Sequence, residues 1–362
     1  MNPVPSLLLN LAALGLAACA PARGPAQASV APAGTDLSSG VDAAPAPTAF
    51  RLPPGYGGLV HSPSPVSQRI SSMPHDIPGL RLGTFQGLDA LLVRTPHASA
   101  AVALFGGQLL SFVPAGQADA LWVSPQRAAL PTPIRGGTPV CWPYFGRQGQ
   151  TAEVPAHGLV RTLPWQLAGA RREDDGTVVL ELEPPPLAEL ALRLRMTLRI
   201  GRTLEQALVT ENAGPEPVRY TEALHNYFRV ADAAQVRVEG LDGRAYLDKN
   251  DGMATHVQHG DWTLLDPRDP GRSDRLYGAA GGAYRLVDPG LGRRIELSVR
   301  GGRTAIVWNP GESAAARMAD VGAHWREFLC LEAANAGPDV VELAPGARHA
   351  LVQTIAVLPL ED

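Results

Sequence analysis

Glu332 stands in the stretch FLCLEAAN, where all of its near neighbours are apolar. A carboxylate in such a run is costly to bury unless it is paired or put to use. Burial raises its pKa, which suits a general base working near neutrality. The alternative is a structural glutamate paired with an arginine. His225 lies in YTEALHNYF, where strand alternation puts Ala223, His225 and Tyr227 on one face and Leu224, Asn226 and Phe228 on the other. An imidazole beside a tyrosine suits a pocket wall, and imidazole is the natural proton donor near pH 7. A hydrogen-bonded core histidine fits the same pattern. The third group occupies IRGGTPVCWPYFGRQGQTAEVPAHGLVRTLPW, residues 134–165. Arg135 precedes two glycines, where the backbone can turn sharply and come close to a ligand. His157 and Arg161 lie four apart in a loop ended by Pro164. Two guanidiniums can fork onto a phosphate or onto sugar hydroxyls. Trp142, Trp165 and Tyr144 could offer apolar faces to a sugar ring. Surface ion pairs over core aromatics would be the plainer reading of that stretch.

Such residues need a scaffold, and the rest of the chain describes one. Its 362 residues are 45% hydrophobic and 18% charged, with 38 glycines and 34 prolines. That composition buries a substantial core and turns often, as an all-β protein does. Short apolar runs bounded by turns recur: LDALLVRT, SAAVALFGGQLLSFVP, DALWVSP, TVVLELEP, RRIELSVRG, TAIVWNPG and ARHALVQTIAVL. Between residues 190 and 200, leucines, a methionine and an isoleucine alternate with Arg193, Arg195 and Arg199. This is the pattern of a half-exposed antiparallel strand. The expected architecture is a large antiparallel β-sandwich with more strands than an immunoglobulin domain.

The net charge of −4 gives no electrostatic case for nucleic acid. No dinucleotide fingerprint, P-loop or nucleophile elbow is present. Cys141 and Cys330 lie in apolar strands and read as inert buried thiols. His256 and His259 form an H-x-x-H pair with no third ligand nearby, so no metal site is expected. Residues 1–19 hold an apolar run ending in Leu16-Ala17-Ala18-Cys19, similar to the signal of bacterial lipoproteins, although the basic start of such a signal is missing. Residues 20–66 are rich in Ala, Pro, Gly and Ser and read as a disordered linker. Lipidated at Cys19, the chain would be tethered to a membrane; otherwise the segment is a dispensable tail. The folded domain is placed at 67–362.

IRGGTPVCWPYFG, PAHGLVRTLPW, ALHNYFRVAD, SDRLY, IVWNPG and FLCLEAAN occur in that order, and together they resemble the D-hexose-6-phosphate mutarotases. These are the glucose-6-phosphate 1-epimerase branch of the aldose 1-epimerase superfamily. The likeness runs from about Leu82 to Val357. It implies a galactose-mutarotase-like antiparallel β-supersandwich with a sugar or sugar phosphate in a cleft across one sheet. It also implies roles: His225 and Glu332 as the catalytic pair, Arg135 and Arg161 holding substrate, His157 as a second active-site histidine, and Asp274 of SDRLY facing the sugar. Mutarotation opens a pyranose between C1 and O5, lets C1 rotate and closes it on the other face. Opening needs a base at the O1 hydroxyl and an acid at O5. Reclosure uses the same pair in reverse, so neither metal nor organic cofactor is expected, and the protein is expected to be a monomer. One departure is PPPLAELALRLRM, which stands where relatives carry a Trp-Pro segment in the cleft wall. An envelope enzyme acting on free or glycan-linked sugars, or a non-catalytic sugar-binding lipoprotein, would use the same fold.

Overall fold

The computed structural model describes residues 77–151, 153–187, 190–265 and 271–360. The expected signal at 1–19 with Cys19, and the linker at 20–66, lie outside the described residues. The described strands form antiparallel sheets of nine, eight, four and two strands.

In Leu192–Ile200 the side chains alternate between buried and solvent-facing, and Leu192, Leu194, Met196, Leu198 and Ile200 all point into the core. The outward arginines meet acids on neighbouring segments: Arg195 pairs with Glu183 and Arg199 with Glu173. Such exposed pairs add little stability; the apolar face holds the strand. The strand Arg348–Pro359 sits in the middle of the nine-stranded sheet, between Arg293–Arg300 and Leu204–Asn212. The main core lies between this sheet and the eight-stranded one, which contributes Leu224, Phe228, Val307, Leu331 and Ala333.

One strand behaves differently. Phe328–Asn335 is buried at all of its positions, because both of its faces are covered. Alternation sends Leu329, Leu331 and Ala333 into the main core, and Cys330, Glu332 and Ala334 to the opposite face. A second apolar cluster, with Cys141, Phe145, Ala223, Leu276, Ile306 and Ala334, covers that second face.

A buried polar tie crosses the main core. Asn226 Nδ2 donates to Gln353 Oε1 at 2.7 Å, and Gln353 Nε2 donates back to Asn226 Oδ1 at 2.9 Å. Gln353 also donates to Gln206 Oε1 at 3.0 Å. Buried amides are tolerated when paired in this way, and here the pairing joins the two large sheets. DALWVSP differs from expectation. It forms no strand; Leu121 and Val123 make isolated bridges to Phe228 and Gly136.

Candidate active site

Strand register assembles the site. Leu224 pairs with Ala333 and Tyr227 with Cys330, so the same register sets His225 opposite Glu332. Ile306 faces Glu332 from the other side. The adjacent row on this face runs Asp274, Trp308, Cys330, Tyr227. Residues 225, 274 and 332, far apart in the chain, thereby reach one surface.

His225 Nε2 lies 3.4 Å from Glu332 Oε1. No arginine pairs with Glu332 among the described residues, and its Oε2 is buried without a partner. Burial pushes the Glu332 carboxyl well above its usual range; the charge of Lys249 opposes this and that of Asp274 adds to it. His225 is pushed the other way, by burial first and then by His157, Arg135, Arg161 and Lys249. Both shifts favour the uncharged forms of the two groups. Their contact is looser than a tight hydrogen bond, as catalytic pairs often are before substrate arrives.

His157 meets His225 edge-on, ring centres 5.5 Å apart. Its backbone is left-handed, with φ at 64°, and so is that of the next residue. A Cβ on Gly158 would stand 2.1 Å from the Trp142 carbonyl oxygen, and φ there is +81°. Only glycine fits. The Gly146 N–H points at His157 Nδ1 over 3.4 Å, so Nδ1 accepts and the proton of the neutral ring sits on Nε2. Burial, then Arg161 and Lys249, hold its pKa at about 3. His157 is thus a neutral N–H donor.

Arg135 is held from two sides: Nε donates to Asp320 at 2.9 Å and Nη1 to the Tyr227 hydroxyl at 2.9 Å. Arg161 donates from Nη2 to the Ala156 carbonyl at 2.7 Å. Its Nε is buried without a partner, and no carboxylate pairs with it among the described residues. Asp274 Oδ1 pairs with Lys249 Nζ at 3.2 Å. The structure thus gathers His225, Glu332, His157, Arg135, Arg161 and Asp274 on and around one face.

The aromatic expectations need correction. Trp142, Trp165 and Tyr144 are each at most 2% exposed. Trp142 follows Cys141 in a strand and points to the opposite face, where its Nε1 donates to Thr210. Trp165 and Tyr144 are likewise tied to backbone carbonyls. The rings at the site are instead Tyr227, stacked on His225 at 4.9 Å, with Trp308 and Phe145. His256 pairs with Asp251, away from this face. Sequence reasoning missed Lys249, Asp320 and Phe145. Asp320 carries no local signal, because its partner is 185 residues away. Lys249 had one: it is the single lysine of the chain.

Comparisons with known proteins agree with this fold. A family model described as aldose 1-epimerase matches residues 89–356. A protein of Escherichia coli (strain K12) named "Putative glucose-6-phosphate 1-epimerase" is 35% identical over 283 residues, spanning 75% of this chain and 90% of its own length. One of the same name from Cenchrus ciliaris is 28% identical over 293 residues, spanning 73% and 83%. A crystal structure of "a putative mutarotase" from Salmonella typhimurium superposes with a TM-score of 0.71 at 30% identity, covering 78% of this chain and 95% of that one. A galactose mutarotase-like protein from Clostridium acetobutylicum shares the fold at 11% identity, with a TM-score of 0.59, covering 78% and 98%. With an aldose 1-epimerase match over most of its length and this β-sandwich, the chain belongs to the aldose 1-epimerase family.

Proposed function

We propose that the protein is an isomerase of the hexose-6-phosphate mutarotase type, interconverting the α and β anomers of glucose 6-phosphate. The reading is carried by one juxtaposition. A buried His225–Glu332 pair, 3.4 Å apart, shares its face with Arg161, a guanidinium that no carboxylate pairs with among the described residues. The pair supplies an acid and a base, and the guanidinium an anion site.

The chemistry follows from the proton the pair shares. Moving it from Glu332 to His225 Nε2 gives carboxylate and imidazolium with no change in net charge. Glu332 then takes the proton of the O1 hydroxyl while His225 protonates O5, and the C1–O5 bond breaks to the open aldehyde. His157 Nε2–H donates to the oxygen that gains charge. After C1 rotates, reclosure runs these transfers backwards. Trp308, the partly exposed ring of the group, offers apolar surface to the ring carbons, and Asp274 accepts from a sugar hydroxyl.

The phosphate preference tests the reading. A charge-assisted contact to phosphate contributes about 1.5–3 kcal/mol, or roughly tenfold to a hundredfold in affinity. At equal low concentration glucose 6-phosphate should exchange anomers faster than glucose, and Arg161→Ala should erase most of that advantage. Equal rates for both sugars, unchanged in the variant, would leave free-sugar epimerisation in its place.

A further inference from the structure

The chain has 31 lysines and arginines together, and Lys249 is the one lysine among them. Arginine serves in surface pairs such as Arg195–Glu183 and in buried positions such as Arg293. A positive charge as such does not call for lysine in this protein. Lys249 opens the turn Lys249–Asp251, directly after the strand Ala245–Asp248. Its Nζ lies 3.2 Å from Asp274 Oδ1 and 5.1 Å from the centre of the Phe145 ring. A slot between a carboxylate and a ring face suits a compact ammonium with three rotatable donors better than a planar fork. Phe145 in turn meets His157 edge-on at 4.9 Å, so the ammonium belongs to the wall of the same pocket.

Position along the sheet says what it can reach. Asp274 and Tyr227 end one cross-strand row, three strand spacings or about 14 Å apart. Arg135 is bonded at the Tyr227 end, and Lys249 at the Asp274 end. Arg135 and Lys249 therefore approach a bound sugar from different ends of that row. Asp274 takes one of the three donors of Lys249, and the side chain is partly exposed.

We propose that Lys249 is a specificity-determining residue that recognises the sugar rather than the phosphate. Its ammonium donates to one hydroxyl of a vicinal diol while Asp274, which it orients, accepts from the next. A carboxylate and an ammonium 3.2 Å apart offer an acceptor and a donor to neighbouring hydroxyls, which are each donor and acceptor. The inference rests on the mutarotase reading and deepens it, since it assigns the two ends of the substrate to different cations. The same charge also favours the carboxylate form of Glu332, an effect common to all substrates.

The single lysine makes the test direct. Protein grown on ¹³C,¹⁵N-lysine gives one lysine side-chain signal, with no chemical modification. That signal should shift on titration with glucose 6-phosphate and with glucose, and stay in place with inorganic phosphate. In Lys249→Met, kcat/KM should fall on the order of 10- to 100-fold for both sugars, leaving their ratio within about threefold of wild type. Arg161→Ala should instead collapse the ratio. A signal that moves with inorganic phosphate, or a ratio that collapses in Lys249→Met, would make the ammonium a phosphate ligand and overturn the proposal. So would a signal that ignores both sugars in protein that exchanges their anomers. Sugar-induced shifts in wild-type protein without anomer exchange would support the binding role and overturn the mutarotase reading alone.

Discussion

Replacing Glu332 with glutamine keeps the shape of the side chain and removes its capacity to accept and return a proton. In its uncharged form Glu332 can donate towards His225 Nε2 across 3.4 Å. An amide N–H can make the same donation, so the neutral contact survives. General acid–base catalysis contributes about 10²–10⁴-fold, which is roughly 2.7–5.5 kcal/mol of barrier. Anomer exchange should fall by at least the lower figure, read by saturation-transfer NMR between the α and β signals of glucose 6-phosphate. Stability should shift by less than about 1 kcal/mol in acid, since one weak contact replaces another. The pH dependence has a definite sign. The folded pKa of Glu332 lies above its unfolded value near 4.5, so below that value both states hold the proton. As pH rises the unfolded chain releases the proton first, and wild type loses stability through the folded pKa. The glutamine variant carries no such loss and should gain on wild type with rising pH. Exchange within tenfold of wild type would remove Glu332 from the chemistry. A large loss of thermal stability in parallel with activity would make the residue structural instead.

Glu222 is a second buried carboxyl, held at about 8 by burial and not used by the mechanism. Ionising it in place costs on the order of 5 kcal/mol relative to a group at 4.5. Wild type should therefore lose stability between about pH 5 and 8, and Glu222→Gln should flatten that slope in denaturant titrations at several pH values. A parallel pH dependence in the two proteins would refute this. Asn226→Ala removes the partner of Gln353 and of the Leu331 carbonyl, 3.0 Å away, and should destabilise by on the order of 3 kcal/mol; unchanged urea midpoints would show the tie to be idle. Gly158→Ala sets a methyl group against the Trp142 carbonyl and should cost at least about 2 kcal/mol, with anomer exchange reduced because His157 moves; a fully active, stable variant would contradict the loop geometry.

The sequence made the sheets legible where one face meets solvent, as in Leu192–Ile200, because period-two alternation needs a wet side. The strand Phe328–Asn335 shows no such alternation, being buried on both faces, yet Glu332 was visible there as a charge among apolar neighbours. Alternation put His225 on the face it takes, although the expected single strand breaks there, between Glu222–Leu224 and Tyr227–Arg229. The aromatics misled. Trp142 and Trp165 sit among loop residues in the sequence, but which face a ring takes depends on register with strands distant in the chain. Asp320 and Phe145 were invisible for the same reason: their partners Arg135 and Lys249 are neighbours only after folding. Nothing in composition told Asn226, between His225 and Tyr227, apart from an ordinary core amide until Gln353 was seen across from it.

The place of the strand Arg348–Pro359 bears on how the protein comes into being on the ribosome. It follows every other described strand in chain order yet occupies the middle of the nine-stranded sheet, bonded to Arg293–Arg300 on one side and Leu204–Asn212 on the other. Until it has been made, the sheet is two pieces with two raw edges facing each other across a gap. Gln353 lies in that strand and holds Asn226, the neighbour of His225. The nascent chain must therefore wait for residues 348–359 before its core can close, with pairings that span up to about 150 positions. Such distant contacts make folding slow, and unpaired edges recruit other chains while it lasts. Newly made protein should depend on chaperones far more than the finished enzyme does.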